Sequence, residues 1–428
     1  MSSSSALGGI GRALSHPKYR ILWATNASNT TGRWMYKTAI GVLTWELTES
    51  PALLGVVAFA DTIPIVIMTI IAGAWTDRYG SIVIMRMCQS IMVAVGILVS
   101  VFAFTESLNV ISIIVLSLVI GTAEAVTIPA RMVLMHHLVP KEDLSAAIAL
   151  NTATFNFARF LGPALAGVLI QFYSIPVAIA ASAAAFIVFY IGLLLLGAVG
   201  GTGGDKSDSN MIKDLVEGFK YVVDHKGISF LVFFLSITAV LIRPYIDLLA
   251  GVADVIFDKK GSGLSILLSA TGLGAMIGGF WLAYRGRTEG LTAIFTWSLL
   301  ISAVALILFV LSSHIWVGVV FSFITGMFVV AGSITSQALI QNIVPAEVRG
   351  RVISITAVLA WGLPAIGALL MGWVAEFMGL AMTLGLGAAI TAVSWFWAHV
   401  RGKSLAAELE GRDPDEAQVS EVTLRTSP

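Results

Sequence analysis

The sequence predicts an all-α polytopic membrane protein with twelve transmembrane helices in two pseudo-symmetric six-helix bundles. Hydrophobic residues make up 57% of the 428 residues and charged residues only 12%, which leaves too few polar side chains to cover a soluble domain of this length. Twelve apolar segments reach about 20 residues, the length that crosses about 30 Å of hydrocarbon. The two halves of the chain also share a sequence pattern, which indicates one structural plan used twice.

The predicted spans are separated by short connections, and none shows the alternating pattern of a β-strand. They lie near residues 20–46, 52–76, 81–105, 109–135, 145–172, 175–199, 227–256, 262–286, 288–312, 314–340, 348–377 and 380–400. The spans divide the chain into a cytoplasmic N-terminal segment (1–19), an N-terminal bundle (20–199), a cytoplasmic linker (200–226), a C-terminal bundle (227–401) and a disordered cytoplasmic tail (402–428).

The repeated pattern is clearest in the fourth and fifth spans and their counterparts in the second half. Val139-Pro140 matches Val344-Pro345, and Gly162-Pro163-Ala164 matches Leu363-Pro364-Ala365. Prolines and glycines within these spans permit either a helix bend beside a central cavity or close helix packing, and the sequence leaves both roles open. The candidates are Pro129, Gly162, Pro163, Gly167 and Pro364.

The distribution of basic residues sets the orientation. With both termini in the cytoplasm, most of the 25 lysines and arginines lie on the cytoplasmic side, and only Lys259 and Lys260 lie outside. This asymmetry follows the positive-inside rule. The linker contains an amphipathic helix that lies on the inner leaflet or simply connects the bundles. Its apolar face carries Ile212, Leu215, Val216, Phe219, Val222 and Val223.

Several functional classes find no support in the sequence. No basic stripe with interleaved aromatic residues indicates nucleic-acid binding. Phosphate-binding loops and the common hydrolase motifs do not occur, so we expect neither an enzyme nor an ATP-driven pump. His136-His137 has no further ligand nearby in the sequence, so we expect no metal and no cofactor. Cys88 is the only cysteine, which excludes an intrachain disulfide.

Ionisable residues inside the predicted spans are the candidate functional residues, because burying them in a membrane is costly. Glu124 lies within the fourth span and Arg159 within the fifth. Antiparallel neighbouring spans can bring the two together as a permanent ion pair that fixes two helices. Alternatively, Glu124 takes up and releases a proton in each transport cycle while Arg159 moves.

Two further sets of charges extend this candidate list. Arg33 and Lys37 in the first span and Asp61 in the second either line an outward cavity or extend to the lipid headgroups. In the seventh span, the spacing of Arg243, Asp247 and Asp254 places them on one face of a continuous helix. Arg243 and Asp247 then neutralise each other, or Asp247 provides a second proton or cation site.

The loop after the second span reads Gly73-Ala-Trp-Thr-Asp77-Arg78-Tyr-Gly80. A loop of this form between the second and third of twelve spans resembles the signature loop of the major facilitator superfamily. The resemblance implies that Asp77 and Arg78 contact neighbouring helix ends in a state-dependent way and latch one face of the transporter. Members of that family usually continue with basic residues, whereas Ser81-Ile82-Val83 follows here, so we expect a weaker latch.

A narrower resemblance covers nearly the whole chain. The fourth and fifth spans are similar to the branch that contains enterobactin-type siderophore exporters and bacterial drug-efflux proteins, although Thr127 stands where that branch often has Asp. The resemblance rests on Ala123-Glu124-Ala125, Pro129-Ala130-Arg131, Asn151, Phe155-Asn156, Ala158-Arg159 and Gly162-Pro163-Ala164.

This resemblance implies a secondary transporter of the bacterial inner membrane that works by alternating access. We expect a monomer that exports amphiphilic small molecules, of the drug or siderophore type, by proton antiport. Translocation of lipids or lysolipids, or uptake of a metabolite, is the second hypothesis. A membrane sensor or scaffold on the same fold is the third, and it is disfavoured because a scaffold gains nothing from the cost of buried charges such as Glu124, Arg159 and Asp247.

Overall fold

The computed structural model describes residues 8–199, 211–259 and 261–411, and the side chains of 69, 70, 211–216, 346 and 347 lie outside the description. Fifteen helices and no strand occur in these residues. They are α1 (Gly8–Ser15), α2 (Pro17–Thr48), α3 (Pro51–Tyr79), α4 (Ser81–Phe104), α5 (Val110–Leu138), α6 (Lys141–Phe172), α7 (Ile175–Leu195), α8 (Met211–Asp224), α9 (Lys226–Leu241), α10 (Tyr245–Val255), α11 (Gly261–Arg285), α12 (Leu291–Leu311), α13 (Ile315–Ile343), α14 (Ala346–Met378) and α15 (Leu380–Leu409).

The helices confirm the predicted membrane-protein class. Within the described residues, 11 segments are long and apolar enough to cross a bilayer, and they match the second to twelfth predicted spans. The first predicted span is α2, whose 32 residues extend about 48 Å at 1.5 Å per residue. It contains more polar residues than the other spans. A membrane span can contain them because many, including Asn26, Asn29 and Thr38, are buried among protein side chains rather than exposed to lipid.

The chain forms two compact units. Among the described residues, unit 1 comprises 8–199, 246–259, 261–273 and 368–380, and unit 2 comprises 211–245, 274–367 and 381–411. In unit 1, α2 packs against α6 and α7, while α3 packs against α5. Glycines permit two of these close approaches. A Cβ atom at Gly121 would collide with the carbonyl oxygen of Asp61, and one at Gly162 would lie 2.5 Å from the Cβ of Trp34.

Unit 2 has its own apolar core. Phe234, Phe295 and Leu339 are buried there together with residues of α14 and α15. The last helix extends beyond the predicted limit at 401, since α15 continues to Leu409 and both Leu405 and Leu409 are buried. Of the predicted amphipathic face on α8, Phe219 and Val223 are exposed and Val222 is buried. The predicted apolar side chains at 212, 215 and 216, and the tail after residue 411, lie outside the described part.

The sequence repeat corresponds to a repeated structural element. Val139-Pro140 joins α5 to α6, and Val344-Pro345 joins α13 to α14. In both cases the valine lies in extended backbone and its N–H still bonds to the preceding helix. Pro163 and Pro364 then lie within the helices that follow, as Pro129 lies within α5.

The seventh predicted span is broken, which corrects the prediction for its charges. Helix α9 ends at Leu241 and α10 begins at Tyr245. Pro244 lacks a backbone N–H and disfavours helical backbone at the residue before it. Arg243 therefore lies in neither helix, and the argument that placed it on one continuous helical face with Asp247 and Asp254 fails. The two aspartates still share α10.

Candidate functional site

Helix α2 positions the site, because its polar residues recur every three or four positions along one side. Asn26, Thr30, Arg33 and Lys37 follow this spacing, which places them on one stripe of an α-helix. Helices α3, α5, α6 and α10 supply partners for this stripe within unit 1. Side chains on such a stripe can be polar within a membrane because they contact protein, not lipid.

Arg33 is the centre of the site and contacts two carboxylates. Its Nη2 donates to Oδ1 of Asp61 at 2.6 Å, and its Nε donates to Oε2 of Glu124 at 2.6 Å. The side chains of Arg33 and Asp61 are 12% and 11% exposed, whereas that of Glu124 is 26% exposed. We call these three residues the Arg33 triad. The triad combines one guanidinium group with two carboxyl groups.

One turn further along α2, Lys37 forms an ion pair with α10. Lys37 Nζ lies 2.8 Å from Oδ1 of Asp247. Two turns beyond, Nε1 of Trp45 donates to Oδ2 of Asp254 at 2.8 Å. Both aspartates of α10 thus contact α2. Arg243 itself lies in unit 2, where its Nη1 donates to the carbonyl oxygen of Ala360 at 2.8 Å.

A cavity lies beside these charges within unit 1. Its polar wall includes Arg33, Tyr36, Lys37, Asp61 and Asp247, and its apolar wall includes Leu54, Val57, Leu264 and Leu268. The cavity volume is about 50 Å³, enough for a few water molecules and far below the several hundred Å³ of a drug-sized site. Glu124 does not line this cavity, although it is the most exposed member of the Arg33 triad.

Glu124 has a different partner from the one that the sequence indicated. The predicted partner was Arg159, but the ion pair of Glu124 is with Arg33. Arg159 Cζ instead lies 5.5 Å from the ring centroid of Trp34, and Lys37 Nζ lies 5.9 Å from the same ring. Phe155 contacts Trp34 edge-on at 6.1 Å between ring centroids. The face of α2 near Trp34 is therefore both aromatic and cationic.

The structure adds residues that the sequence reasoning did not assign to the site. Arg131 Nη1 is 3.4 Å from Oδ1 of Asn26, and Asn26 donates to Oδ1 of Asn151 at 3.2 Å. Arg131 lies seven residues, or two turns, beyond Glu124 on α5. Two spacings in the sequence indicate that Arg131 and Asn26 belong to the site: Arg131 lies seven residues after Glu124, and Asn26 lies seven residues before Arg33.

The other predicted residues have local structural roles. Gly80 ends α3 with φ +85°, and its N–H bonds to the carbonyl oxygen of Thr76. Asp77 and Arg78 are exposed, and Arg78 lies 5.4 Å from the ring of Tyr79, while Gly73 has open space around its α-carbon. Gly167 packs against Ser265 so closely that a Cβ atom would collide with it. The predicted latch at Asp77 and Arg78 remains a prediction.

The fold and the family match make this chain a secondary transporter of the major facilitator class. A structure of the nucleoside transporter NupG is similar over 90% of this chain and 99% of that chain, with a TM-score of 0.70 at 14% identity. A D-xylose-proton symporter gives a TM-score of 0.67 at 11% identity, over 90% of this chain and 97% of that one. The chain belongs to the transmembrane secretion effector family, whose model matches residues 12–423.

Curated relatives match most of the chain. The staphyloferrin A transporter of Staphylococcus aureus is 25% identical over 83% of this chain and 89% of that protein. Macrolide efflux protein A of Streptococcus pyogenes is 23% identical over 85% of this chain and 90% of that protein. The multidrug efflux pump Tap of Mycolicibacterium fortuitum is 24% identical over 77% and 82%, respectively. These proteins are transporters, and so is this family member.

Proposed function

We propose that this protein is a monomeric, proton-coupled exporter of amphiphilic small molecules in the bacterial plasma membrane, with both termini in the cytoplasm. Relatives that are named macrolide efflux protein and multidrug efflux pump support export. The Arg33 triad carries the proposal of proton coupling. Its single guanidinium cannot neutralise two carboxylates, so the triad holds one proton in part of the transport cycle and releases it in another.

Glu124 and Asp61 have different surroundings, which suggests a direction for the proton. Asp61 lines the cavity that also contains Lys37 and Asp247. Glu124 has more exposed surface, and that surface lies outside this cavity. Arg33 contacts both carboxylates from between them. In the proposed cycle Asp61 exchanges protons with the outer side, Glu124 exchanges them with the cytoplasmic side, and Arg33 keeps its charge throughout.

The Lys37–Asp247 pair is the proposed link between this chemistry and alternating access. It joins the first span to the segment after the break at Pro244, a segment short enough to move as one body. Opening of the outer side separates Lys37 from Asp247, which places a lysine beside the Arg33 triad without its partner. A free cation there favours the proton-free triad. The exposed Asp77 and Arg78 are the proposed latch of the opposite face.

The test is proton movement in proteoliposomes with an imposed pH gradient. Siderophores, cationic drugs and lysolipids serve as candidate substrates, and wild type is compared with Glu124→Gln. The matched control is Glu142→Gln, since Glu142 is exposed at the start of α6. Substrate-driven proton flux in wild type and in the control, but not in Glu124→Gln, supports the proposal. Equal proton flux in all three proteins contradicts a coupling role for Glu124.

Translocation of lipids or lysolipids is the second candidate, and one feature favours it. An apolar cavity of about 240 Å³ opens between α3, α4 and α5 and is lined by Trp75, Met87, Cys88, Leu118 and Val126, among others. Met87 and Leu118 are exposed, so the cavity accepts an acyl chain from the side of the bundle. Transport of lysolipids but of no drug or siderophore in the same assay favours this candidate.

A further inference from the structure

The hydroxyl group of Tyr36 has an unusual environment. Tyr36 is buried on α2, three residues beyond Arg33, and its ring packs against Phe186 of α7 at 6.3 Å between centroids. Its hydroxyl oxygen is buried and has no hydrogen-bond partner among the residues that the structure describes. Buried hydroxyl groups are almost always hydrogen-bonded in native proteins. A buried tyrosine without a partner in one state is therefore expected to find a partner in another.

The candidates for that partner are few. Tyr36 and Asp61 both line the small cavity beside the Arg33 triad. The charged groups around it are Arg33 and Lys37 from α2, Asp61 from α3, Glu124 from α5 and Asp247 from α10. Among the described residues that line the cavity, α11 contributes the apolar Leu264 and Leu268, whereas α2 and α5 contribute Thr38 and Ser117. The Thr38 hydroxyl already donates to the carbonyl oxygen of Trp34. Both basic residues already have carboxylate partners, and Glu124 lies outside the cavity.

Protonation changes what Asp61 requires. As a carboxylate it accepts from Arg33, and it can only accept hydrogen bonds. As a carboxylic acid it carries an O–H group that must donate, and Arg33 has no acceptor to offer. The hydroxyl oxygen of Tyr36 has two free lone pairs, and Tyr36 lines the same cavity as Asp61.

We propose that Tyr36 is a positioning residue for the proton: its hydroxyl accepts the hydrogen bond of protonated Asp61, directly or through one water in the cavity. This inference rests on the proposed proton coupling. In the step itself one O–H bond forms on Asp61 while one breaks on a hydronium ion at the outer side. The Arg33–Asp61 contact weakens, and Arg33 remains bound to Glu124. Tyr36 thus stabilises the protonated state, and it does not change its own protonation.

The test uses Tyr36→Phe, which removes one oxygen and keeps the ring that packs on Phe186. Tyr19→Phe is the matched control, because the Tyr19 hydroxyl is also buried on α2 but donates to the carbonyl oxygen of Ala147 at 3.0 Å, far from the triad. Infrared difference spectra of the protein in lipid, between pH 8 and pH 5, report the carbonyl band of protonated carboxyl groups. The band that disappears in Asp61→Asn is assigned to Asp61.

In Tyr36→Phe we expect the Asp61 band to move to higher wavenumber, as for a carboxyl group that has lost a hydrogen bond. We also expect its midpoint to move to lower pH by roughly half to one unit, the effect of one hydrogen bond of ordinary strength. Tyr19→Phe should leave both unchanged. An unchanged Asp61 band and midpoint in Tyr36→Phe overturn the inference. If neither Asp61→Asn nor Glu124→Gln removes a band from the wild-type difference spectrum, the proposed proton coupling itself is overturned. This comparison involves no tyrosine variant, so it is made before the inference about Tyr36 is tested.

Discussion

Replacement of Arg33 by Gln tests whether the two carboxylates of the triad depend on one guanidinium. Both bonds of 2.6 Å are lost, and Asp61, whose side chain is 11% exposed, gains at most the few water molecules that the small cavity can hold. Such a carboxylate must either remain charged without a partner or take up a proton. Protonation of a carboxyl group with an ordinary pKa of about 4 costs about 4 kcal/mol at pH 7. This agrees with the approximately 3–5 kcal/mol that breaking a buried ion pair costs.

The pH dependence of this loss separates the charge explanation from a packing explanation. The cost of protonation falls by about 1.4 kcal/mol for each pH unit, so Arg33→Gln should be destabilised by about 4 kcal/mol at pH 7 and by about 1 kcal/mol at pH 5. Thermal unfolding in detergent, followed by tryptophan fluorescence, measures the difference. Arg20→Gln is the control, since Arg20 is exposed on the same helix.

A second variant completes the test of the Arg33 triad. Asp61→Asn and Glu124→Gln added to Arg33→Gln remove all three charges, so the triple variant should regain most of the stability lost at pH 7. The reasoning is refuted by either of two results. One is a loss in Arg33→Gln that is the same at pH 5 and pH 7, and the other is a triple variant as unstable at pH 7 as the single variant.

Three further predictions concern contacts around the triad. Lys37→Asp alone and Asp247→Lys alone should each reduce transport, whereas the double variant, which restores opposite charges, should recover a substantial part of it. Transport in proteoliposomes measures this recovery, and a double variant that transports no better than the single variants refutes a simple ion pair. Gly162→Ala should destabilise the protein by about 1–3 kcal/mol, because the added methyl group overpacks against α2. Gly73→Ala is the control, because Gly73 faces open space, and its stability in the same unfolding assay should stay within about 0.5 kcal/mol of wild type. Glu376 accepts hydrogen bonds from Oγ of Ser50 and the N–H of Ala52 at the start of α3, so Glu376→Ala should cost about 1 kcal/mol as a lost helix cap, and an unchanged melting temperature contradicts that role.

The cavity beside the Arg33 triad is too small for a drug-sized substrate. A substrate of drug size needs several hundred Å³, and the cavity that contains Asp61 has about 50 Å³. In the state that the structure describes, it accommodates water and protons but no amphiphile. The proposed proton exchange at Asp61 therefore does not require substrate in the same space.

The sequence by itself determined the class of protein and the candidate residues. Long apolar segments require a membrane, and the cost of charge in a membrane requires that Arg33, Asp61, Glu124 and Asp247 face protein or water. Even the break in the seventh span has a sequence signal, because Pro244 disfavours helix at Arg243. These properties depend only on composition and on local backbone chemistry, so they can be read from the sequence without knowing which residues are in contact.

Only the tertiary structure decided which charges meet. Glu124 pairs with Arg33, 91 residues away, and not with Arg159 as the order of the spans indicated. Lys37 pairs with Asp247 of a helix from the second half of the chain. Helical periodicity fixes the side of a helix on which a residue lies, but a salt bridge also requires the right depth and rotation of two helices to within about an ångström. Packing sets those quantities, through contacts such as Gly121 against Asp61 and Gly162 against Trp34, and a single sequence does not contain them.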